Sequence, residues 1–385
     1  MKKLISIVIT FVVTAVLVSV AASPEAWAVD ATNSIPISSR EELVAIANNL
    51  SGSYHLVSDI DMSYGAWKPI LYFAGTFDGC GHVISNLTIR GEGENGHAGL
   101  FGSTTSSAVI KNIGLKDTDI VITTGSPYVG GLCGTNGGLI SNSYNTGSVA
   151  VAEAGFFVYV GGICGYNNGT VEYCYNTGSV SASRTECGAR YTMNTGGISG
   201  YNEDTVSSCY NTGSVTSSVE KTGSYCTEWV GGICGISVDN AIVKNSYWDV
   251  DSVQSVYGKV LSNADKKGLG DGIGQTTSLT NEQIMQQSSF IGWDFDRIWT
   301  YRSNLNNGYP VLRAFFESPS SWADENVNRA IALGIIQQSM QSKYTQATTR
   351  AEFCSLAVAL YEKITGSEIS DRCIFRVDKP LCTGK

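Results

Sequence analysis

Histidine is almost absent from this chain, at three residues in 385, and proline (7) and methionine (5) are scarce. His55, His82 and His97 form no H-E-x-x-H pattern, which excludes a zinc peptidase of that type. No C-x-x-C pair occurs, so a zinc ribbon or a thioredoxin-like motif is excluded as well. A G-x-S-x-G elbow is also missing, and no cysteine sits in a recognisable catalytic context. Charged residues make up only 15%, with a net charge of −9. That acidity argues against nucleic acid and anionic membrane surfaces as partners. Beyond the first 22 residues there is no second long apolar run, so the sequence predicts no membrane association once the leader is removed.

The leader itself is legible. Lys2 and Lys3 precede an almost wholly apolar stretch from Leu4 to Ala22, and Ala26-Trp27-Ala28 has the small-residue pattern of a cleavage site. Residues 1–28 are therefore expected to be an export signal; the alternative is an uncleaved anchor. Loss of Lys2, Lys3 and Glu25 leaves the mature chain one unit more acidic. Against the sparse charge stand 43 glycines and 19 tyrosines, a composition of short strands and tight turns rather than helical surfaces.

The dominant signal is an internal repeat. Gly131-Leu132-Cys133-Gly134, Gly162-Ile163-Cys164-Gly165, Gly197-Ile198-Ser199-Gly200 and Gly232-Ile233-Cys234-Gly235 are copies of one motif, each preceded by another glycine. A degenerate copy lies at Gly99-Leu100-Phe101-Gly102. A second block follows at Ser143 to Val149, Cys174 to Val180 and Cys209 to Val215, with a decayed copy at Asn245 to Trp248. A fixed period with identical residues at identical phases predicts a coil of stacked rungs, because one rung cannot bury its inner face alone. Stacking would align Asn145, Asn176 and Asn211 as an amide ladder. Asn136-Gly137 and Asn168-Gly169 supply turns and, taken alone, also read as hairpins.

These two blocks together resemble the GLUG motif of bacterial surface proteins. Leu56 to Asp61, Trp67 to Ile70 and Gly75 to Gly79 resemble the segment that precedes such repeats. Trp293-Asp294-Phe295 and Gly308 to Leu312 resemble the closing segment. The resemblance covers roughly residues 53 to 313 and implies a scaffold: a mainly β, right-handed parallel β-helix (solenoid) of GLUG-like repeats. The expected division is 29–95 for the N-terminal cap and first rungs, 96–250 for the repeats, and 251–316 for the closing segment. Ser39 with Glu42 forms a capping box, and Leu43, Ile46, Ala47 and Leu50 share a helical face before Gly52. This pattern predicts a short helix covering the first rung.

After Leu312 the texture becomes helical. Thr349-Arg350-Ala351-Glu352 is a capping box that opens a helix with Phe353, Leu356, Ala357, Leu360 and Ile364 on one face, ending at Gly366. Trp322-Ala323, Val327, Ala330, Gly334-Ile335-Ile336 and Thr349 to Phe353 together resemble an S-layer homology (SLH) motif. Residues 317–385 then hold one such motif and the start of a second, at Cys373 to Asp378. The resemblance implies a small α-helical module attached non-covalently to secondary cell-wall polysaccharide. Arg350 at a helix N-terminus suits an anionic sugar group, Trp322 suits stacking on a sugar ring, and Thr349 and Glu352 complete the set. Thr349 and Glu352 serve equally as helix caps, and Trp322 as core.

Three chemistries stay open. Asp59, Asp61 and Asp78 are the best acidic group for a carbohydrate-active β-helix, yet their strand and turn positions favour structural use. Cys133, Cys164 and Cys234 share one phase, with Ser199 between the last two, and Cys174 and Cys209 share another. Ser at equivalent phases favours free packed thiols over rung-to-rung disulfides, and Cys187 with Cys226 is the better disulfide pair. The insertions Ala152 to Val158, Ser181 to Met193 and Ser217 to Glu228 should emerge on one side. They carry Phe156, Phe157, Tyr191, Tyr225 and Trp229 for glycan or protein recognition, or for packing under their own loops.

The leading expectation is a secreted, non-enzymatic cell-wall or cell-surface protein of structural or adhesive role, with no catalytic residue, metal or cofactor. The rivals are a carbohydrate-active enzyme or carbohydrate-binding β-helix, and a truncated remnant of a larger surface protein.

Overall fold

The computed structural model describes residues 34–125, 127–153, 155–186, 191–221, 226–301, 305–316, 329–330, 333–336 and 350–366. The expected leader lies outside them. The chain divides into two units, one ending at Phe315 and one containing the residues from Phe316 onward.

The first unit is a β-solenoid of about six turns. One rung comprises Val109–Lys111, Gly114–Lys116, Asp119–Ile122, Tyr128–Gly130 and Cys133–Asn136, and the next begins at Leu139–Ser141. Corresponding strands pair in parallel between rungs, giving a first sheet of eight strands, then sheets of eight, seven, five and six. Ile110, Ile140, Val171, Val206 and Val243 stand in line, as do Cys133, Cys164, Ser199 and Cys234. Alternate residues of every strand point inward. Ile120, Ile122, Val149 and Val180 are at most 2% exposed and belong to one continuous core. Burial of each such side chain contributes roughly 1.5–3 kcal/mol, a gain available only when rungs stack.

The repeated glycines are explained by close approach. A β-carbon on Gly165 would lie 2.4 Å from the backbone nitrogen of Val129, so the fifth sheet rests directly on the backbone of the fourth. A β-carbon on Gly162 would lie 2.3 Å from the side-chain amide carbon of Asn176. The motif therefore marks two places where a methyl group does not fit.

The expected asparagine ladder is present. Asn145 Nδ2 donates to Asn176 Oδ1 at 3.0 Å, and Asn176 Nδ2 to Asn211 Oδ1 at 2.8 Å. A second ladder, which the sequence reading missed, runs through Asn136, Asn167 and Asn202 at 2.8 and 2.7 Å. Asn136-Gly137 consequently belongs to a corner of the coil and not to a hairpin. The cysteine phases follow the same logic. Cys133 Sγ donates to Thr135 O at 3.1 Å, and Ser199 Oγ to Tyr201 O at 3.0 Å. At the other phase Ser143, Cys174, Cys209 and Ser246 donate to the carbonyl two residues back. Each slot needs a small donor, which explains why Ser and Cys alternate. The five interior cysteines are free, and burial pushes the Cys164 thiol up to about 12. Cys226 is disulfide-bonded; Cys187, its expected partner, lies outside the described residues.

Helix α1 (Arg40–Ala45), followed by a 3-10 turn over Ile46–Asn48, sits between the first two strands of the first sheet. Ser39 caps it by accepting from Glu42 N, and Leu43 and Ile46 are fully buried. The Glu42 carboxylate accepts from Ser38 N and Ser38 Oγ instead of Ser39 N, and these bonds hold its pKa below the usual value. Ala47, the third predicted face residue, is exposed, because the helix tightens to 3-10 over Ile46–Asn48.

The closing segment does more than end the coil. Leu269–Gly272 and Thr276–Leu279 extend the fifth and second sheets. The chain then returns along the outer face of the second sheet, over the stacked rings of Tyr144, Tyr175 and Tyr210 and beside Tyr247, which packs on Phe290 and Trp293. Trp299 and Tyr210 are fully buried there, and Tyr210 Oη donates to Pro310 O at 2.6 Å. The strap reaches back to the rung that begins at Leu139, where Phe315 packs on Tyr144 at 4.7 Å.

In the second unit, helix α2 spans Arg350–Thr365, with Gly366 at positive φ receiving the chain, as predicted. Its expected apolar stripe is not buried: Leu356 and Leu360 are half-buried, while Ala357 and Ile364 are exposed. Most of the preceding part of the expected SLH motif lies outside the described residues; Gly334 within it has a positive φ.

Candidate functional site

Of the predicted polysaccharide contacts, Arg350 is the first residue of α2 and Glu352 lies in its first turn. The side chains of both, and the whole of Trp322 and Thr349, lie outside the described residues.

The acidic group of the first rungs is dispersed into backbone duties. Asp78 is buried, accepts from Cys80 N and Asn112 Nδ2 at 2.9 Å each, and pairs with Lys111 at 3.2 Å. Asp59 accepts from Val83 N and contacts His82 Nδ1, both at 3.0 Å. Asp61 binds Ser63 and Asn86, whose hydrogen bonds lower its pKa, largest contribution from Asn86. Each carboxylate ties a turn to its own loop or the next rung. Asp59, Asp61, Arg40 and Glu41 line a hollow of about 300 Å³ beside α1. Among the described residues no group of three or more His, Cys, Asp and Glu is placed to hold a metal ion. No described helix is long and apolar enough to cross a membrane.

In their described residues the three insertions are largely strand and not loop. They lengthen the strands of the third and fourth sheets into an arm, with Val180–Glu186 beside Val215–Lys221 and Tyr191–Gly196 beside Cys226–Gly231. Near its tip Phe156 and Phe157 are 55% and 51% exposed, Phe156 stacks on Tyr191 at 4.9 Å, and the Arg184 guanidinium lies 3.8 Å from the Tyr191 ring centroid. Trp229 is half-buried further along the arm, and Tyr225 lies outside the described residues. The two readings of these aromatics thus divide: Phe156 and Tyr191 pack on one another, while Phe157 faces solvent.

A second aromatic surface went unnoticed in the sequence. His97, Tyr128 and Tyr159 stack at 5.0 and 5.2 Å along the fourth sheet, and Tyr166 and Tyr201 stack at 5.4 Å along the fifth. The two columns meet at near right angles, with Tyr128 edge-on to Tyr166 at 5.8 Å. Burial, with the neighbouring tyrosines and Glu203 adding, pushes the Tyr159 phenol up. The signal was available: Tyr128 and Tyr159 both stand two residues before the motif glycines, and Tyr166 and Tyr201 directly after them.

The profile of the GLUG motif matches residues 125–150 and 158–181, each running from the fourth sheet through the fifth, first and second to the start of the third. Halomucin of Haloquadratum walsbyi is 37% identical over 110 residues, which is 26% of this chain and 1% of that far longer protein. A crystal structure provisionally assigned as an immunoglobulin A1 protease of Bacteroides ovatus superposes with a TM-score of 0.53 at 19% identity, over 74% of this chain and 94% of that one. At that identity the likeness concerns the fold alone. The chain thus carries GLUG motifs at residues 125–150 and 158–181 within a β-solenoid.

Proposed function

We propose that this protein is a non-enzymatic cell-surface protein of structural or adhesive role, exported and displayed outside the cell. The observation that carries the reading is the coil itself. GLUG-matching rungs stack into an extended scaffold whose buried side chains serve packing and ladders, leaving aromatic and polar surfaces outward. The local likeness to halomucin supports a surface or secreted location. Helix α1 acts as the cap of the first rung, since Leu43 and Ile46 cover apolar side chains that stacking leaves open.

In the same proposal the C-terminal helical module is an SLH unit that holds secondary cell-wall polysaccharide. Arg350 at the start of α2 would meet an anionic sugar substituent with both guanidinium and helix dipole, aided by Trp322, Thr349 and Glu352. A single unit would bind weakly alone and gain from several chains on one wall. The test is sedimentation of the mature protein with purified cell-wall sacculi, beside its Arg350→Ala variant. Sedimentation of the wild type alone supports anchoring through Arg350. If neither sediments, the anchor is lost from the proposal, and protease shaving of intact cells then decides whether the coil is surface-exposed by other means.

A further inference from the structure

The corner between the fifth and first sheets changes size along the coil. Strand positions are fixed by the pairings Ser103, Thr135, Tyr166, Tyr201 and Ile236 on one side and Val109, Leu139, Thr170, Thr205 and Ile242 on the other. Within each corner the first residue turns inward: Thr104, the three ladder asparagines and Ser237 are all buried. Between that residue and the next strand stand four residues at 105–108, two at Gly137-Gly138, two at Asn168-Gly169, two at Glu203-Asp204, and four at 238–241, of which Ala108, Gly138 and Gly169 are buried. Three short corners are therefore recessed between two tall ones, four rung spacings or roughly 19 Å apart. The depression has a volume of about 420 Å³.

We propose that this trough binds a neutral, hydroxyl-rich glycan; the proposal deepens the adhesive reading above and rests on it. The floor at Gly137 and Gly169 carries no side chain, so a ligand meets backbone. Gly137 O and Asn168 O accept no hydrogen bond from any described residue, and they repeat at the rung spacing as a row of acceptors. The walls and rim offer Ser106, Asn168 and Thr170, which both donate and accept, and Ser107, whose hydroxyl donates to Ala74 O and is left to accept. No lysine or arginine lines the depression, which abuts the 105–108 corner and not 238–241; the carboxylate that lines it, Asp204, disfavours anions, with Glu203 and Asp239 on the surface nearby. Groups that donate and accept outnumber that lining carboxylate, which favours sugar hydroxyls over a basic peptide. No aromatic side chain or apolar pocket is present to seat a hydrophobic partner.

The test is titration calorimetry of the full mature chain with cellohexaose, chitohexaose and maltohexaose, with trigalacturonate and decalysine as charged controls. At least one neutral hexasaccharide should bind. Asn168→Trp, which fills the trough from an exposed turn position, should abolish that binding, and Asp204→Ala should weaken it about tenfold, the loss of one charge-assisted hydrogen bond. Thermal midpoints of both variants should match the wild type; should Asn168→Trp misfold, the Ser107→Ala, Asp204→Ala pair takes its place. Absence of binding to all three neutral sugars, binding indifferent to these substitutions, or binding only to a charged control overturns the proposal. Protease shaving of intact cells reports on surface display independently, so a failed trough leaves the surface reading standing.

Discussion

Replacement of Asn176 by alanine isolates what the inner ladder contributes. Its side chain is fully buried; Nδ2 donates to Gly178 O at 2.7 Å and Asn211 Oδ1 at 2.8 Å, and Oδ1 accepts from Asn145 Nδ2 at 3.0 Å. Alanine removes all three bonds. Asn145 keeps its bond to Gly147 O, and Asn211 Oδ1 keeps Gly213 N, so those partners are left partly satisfied. Three net bonds at about 1 kcal/mol each, plus a desolvated partner at about 1–3 kcal/mol, give a loss of about 4–6 kcal/mol. Thr177→Ala, next in sequence but half-exposed, should cost under about 0.5 kcal/mol. Urea unfolding followed by far-ultraviolet circular dichroism compares the two. Asn176→Asp adds a directional check: a buried carboxylate accepts but cannot donate, so its cost should shrink as acid protonates it. A loss below about 1 kcal/mol for Asn176→Ala would show that the ladder merely accompanies stacking, against the penalty expected for buried polar groups.

Gly165→Ala should prevent correct stacking, because its β-carbon falls 2.4 Å from the Val129 nitrogen; the readout is soluble yield and protease resistance. Cys164→Ser should stay within about 1.5 kcal/mol of the wild type by urea unfolding, since Ser199 fills the equivalent slot one rung on and donates to a carbonyl as the thiols do. Tyr210→Phe removes the bonds to Pro310 O and from Asn306 Nδ2, and should cost about 1–2 kcal/mol and alter the fluorescence of Trp299 beneath the strap. Glu228 is buried and its pKa is raised chiefly by desolvation, so the folded state favours its neutral form. Its contribution is fully present below the unfolded glutamate value and is lost as pH rises through the folded value; Glu228→Gln should flatten that part of the stability profile measured from pH 4 to 8.

The repeat was readable because stacking imposes identity. Gly162 and Gly165 meet atoms of neighbouring rungs, and Asn176 bonds to its own equivalents, so these positions repeat with the coil. The free thiols were readable for the same reason, through Ser199 and Ser143 at matching phases. The strap over Tyr175 and Tyr210 was not, because Trp293, Trp299 and Pro310 act across some hundred residues and repeat nowhere. The insertions were misread as loops because Ser183 and Thr192 look like turn residues; pairing with the neighbouring rung makes them strands. A polar sequence reads as loop until its partner strand is known.

The same distinction bears on where function resides. Inside the coil a substitution is judged by both neighbouring rungs, so Asn, Cys, Ser and Gly are confined to their columns. At a corner the inward residue is confined, since Asn136, Asn167 and Asn202 are held by one another, and Gly138 and Gly169 are confined by the carbonyls of Ala108 and Gly138, while the residues directly after the asparagines vary as Gly137, Asn168 and Glu203. Two added residues at 105–108 and 238–241 leave the pairing on either side undisturbed. Corner length can therefore change without altering the register, and relief on the outer surface comes at little cost to the core. A glycan-binding trough made by shortening three consecutive corners is a site such a scaffold can form, move or lose without refolding. Transplanting the 105–108 corner in place of Gly137-Gly138 should accordingly preserve the coil's thermal midpoint while abolishing hexasaccharide binding. Loss of the fold in that variant would show that corner and core are coupled, and would count against this account of where the repeat keeps its variability.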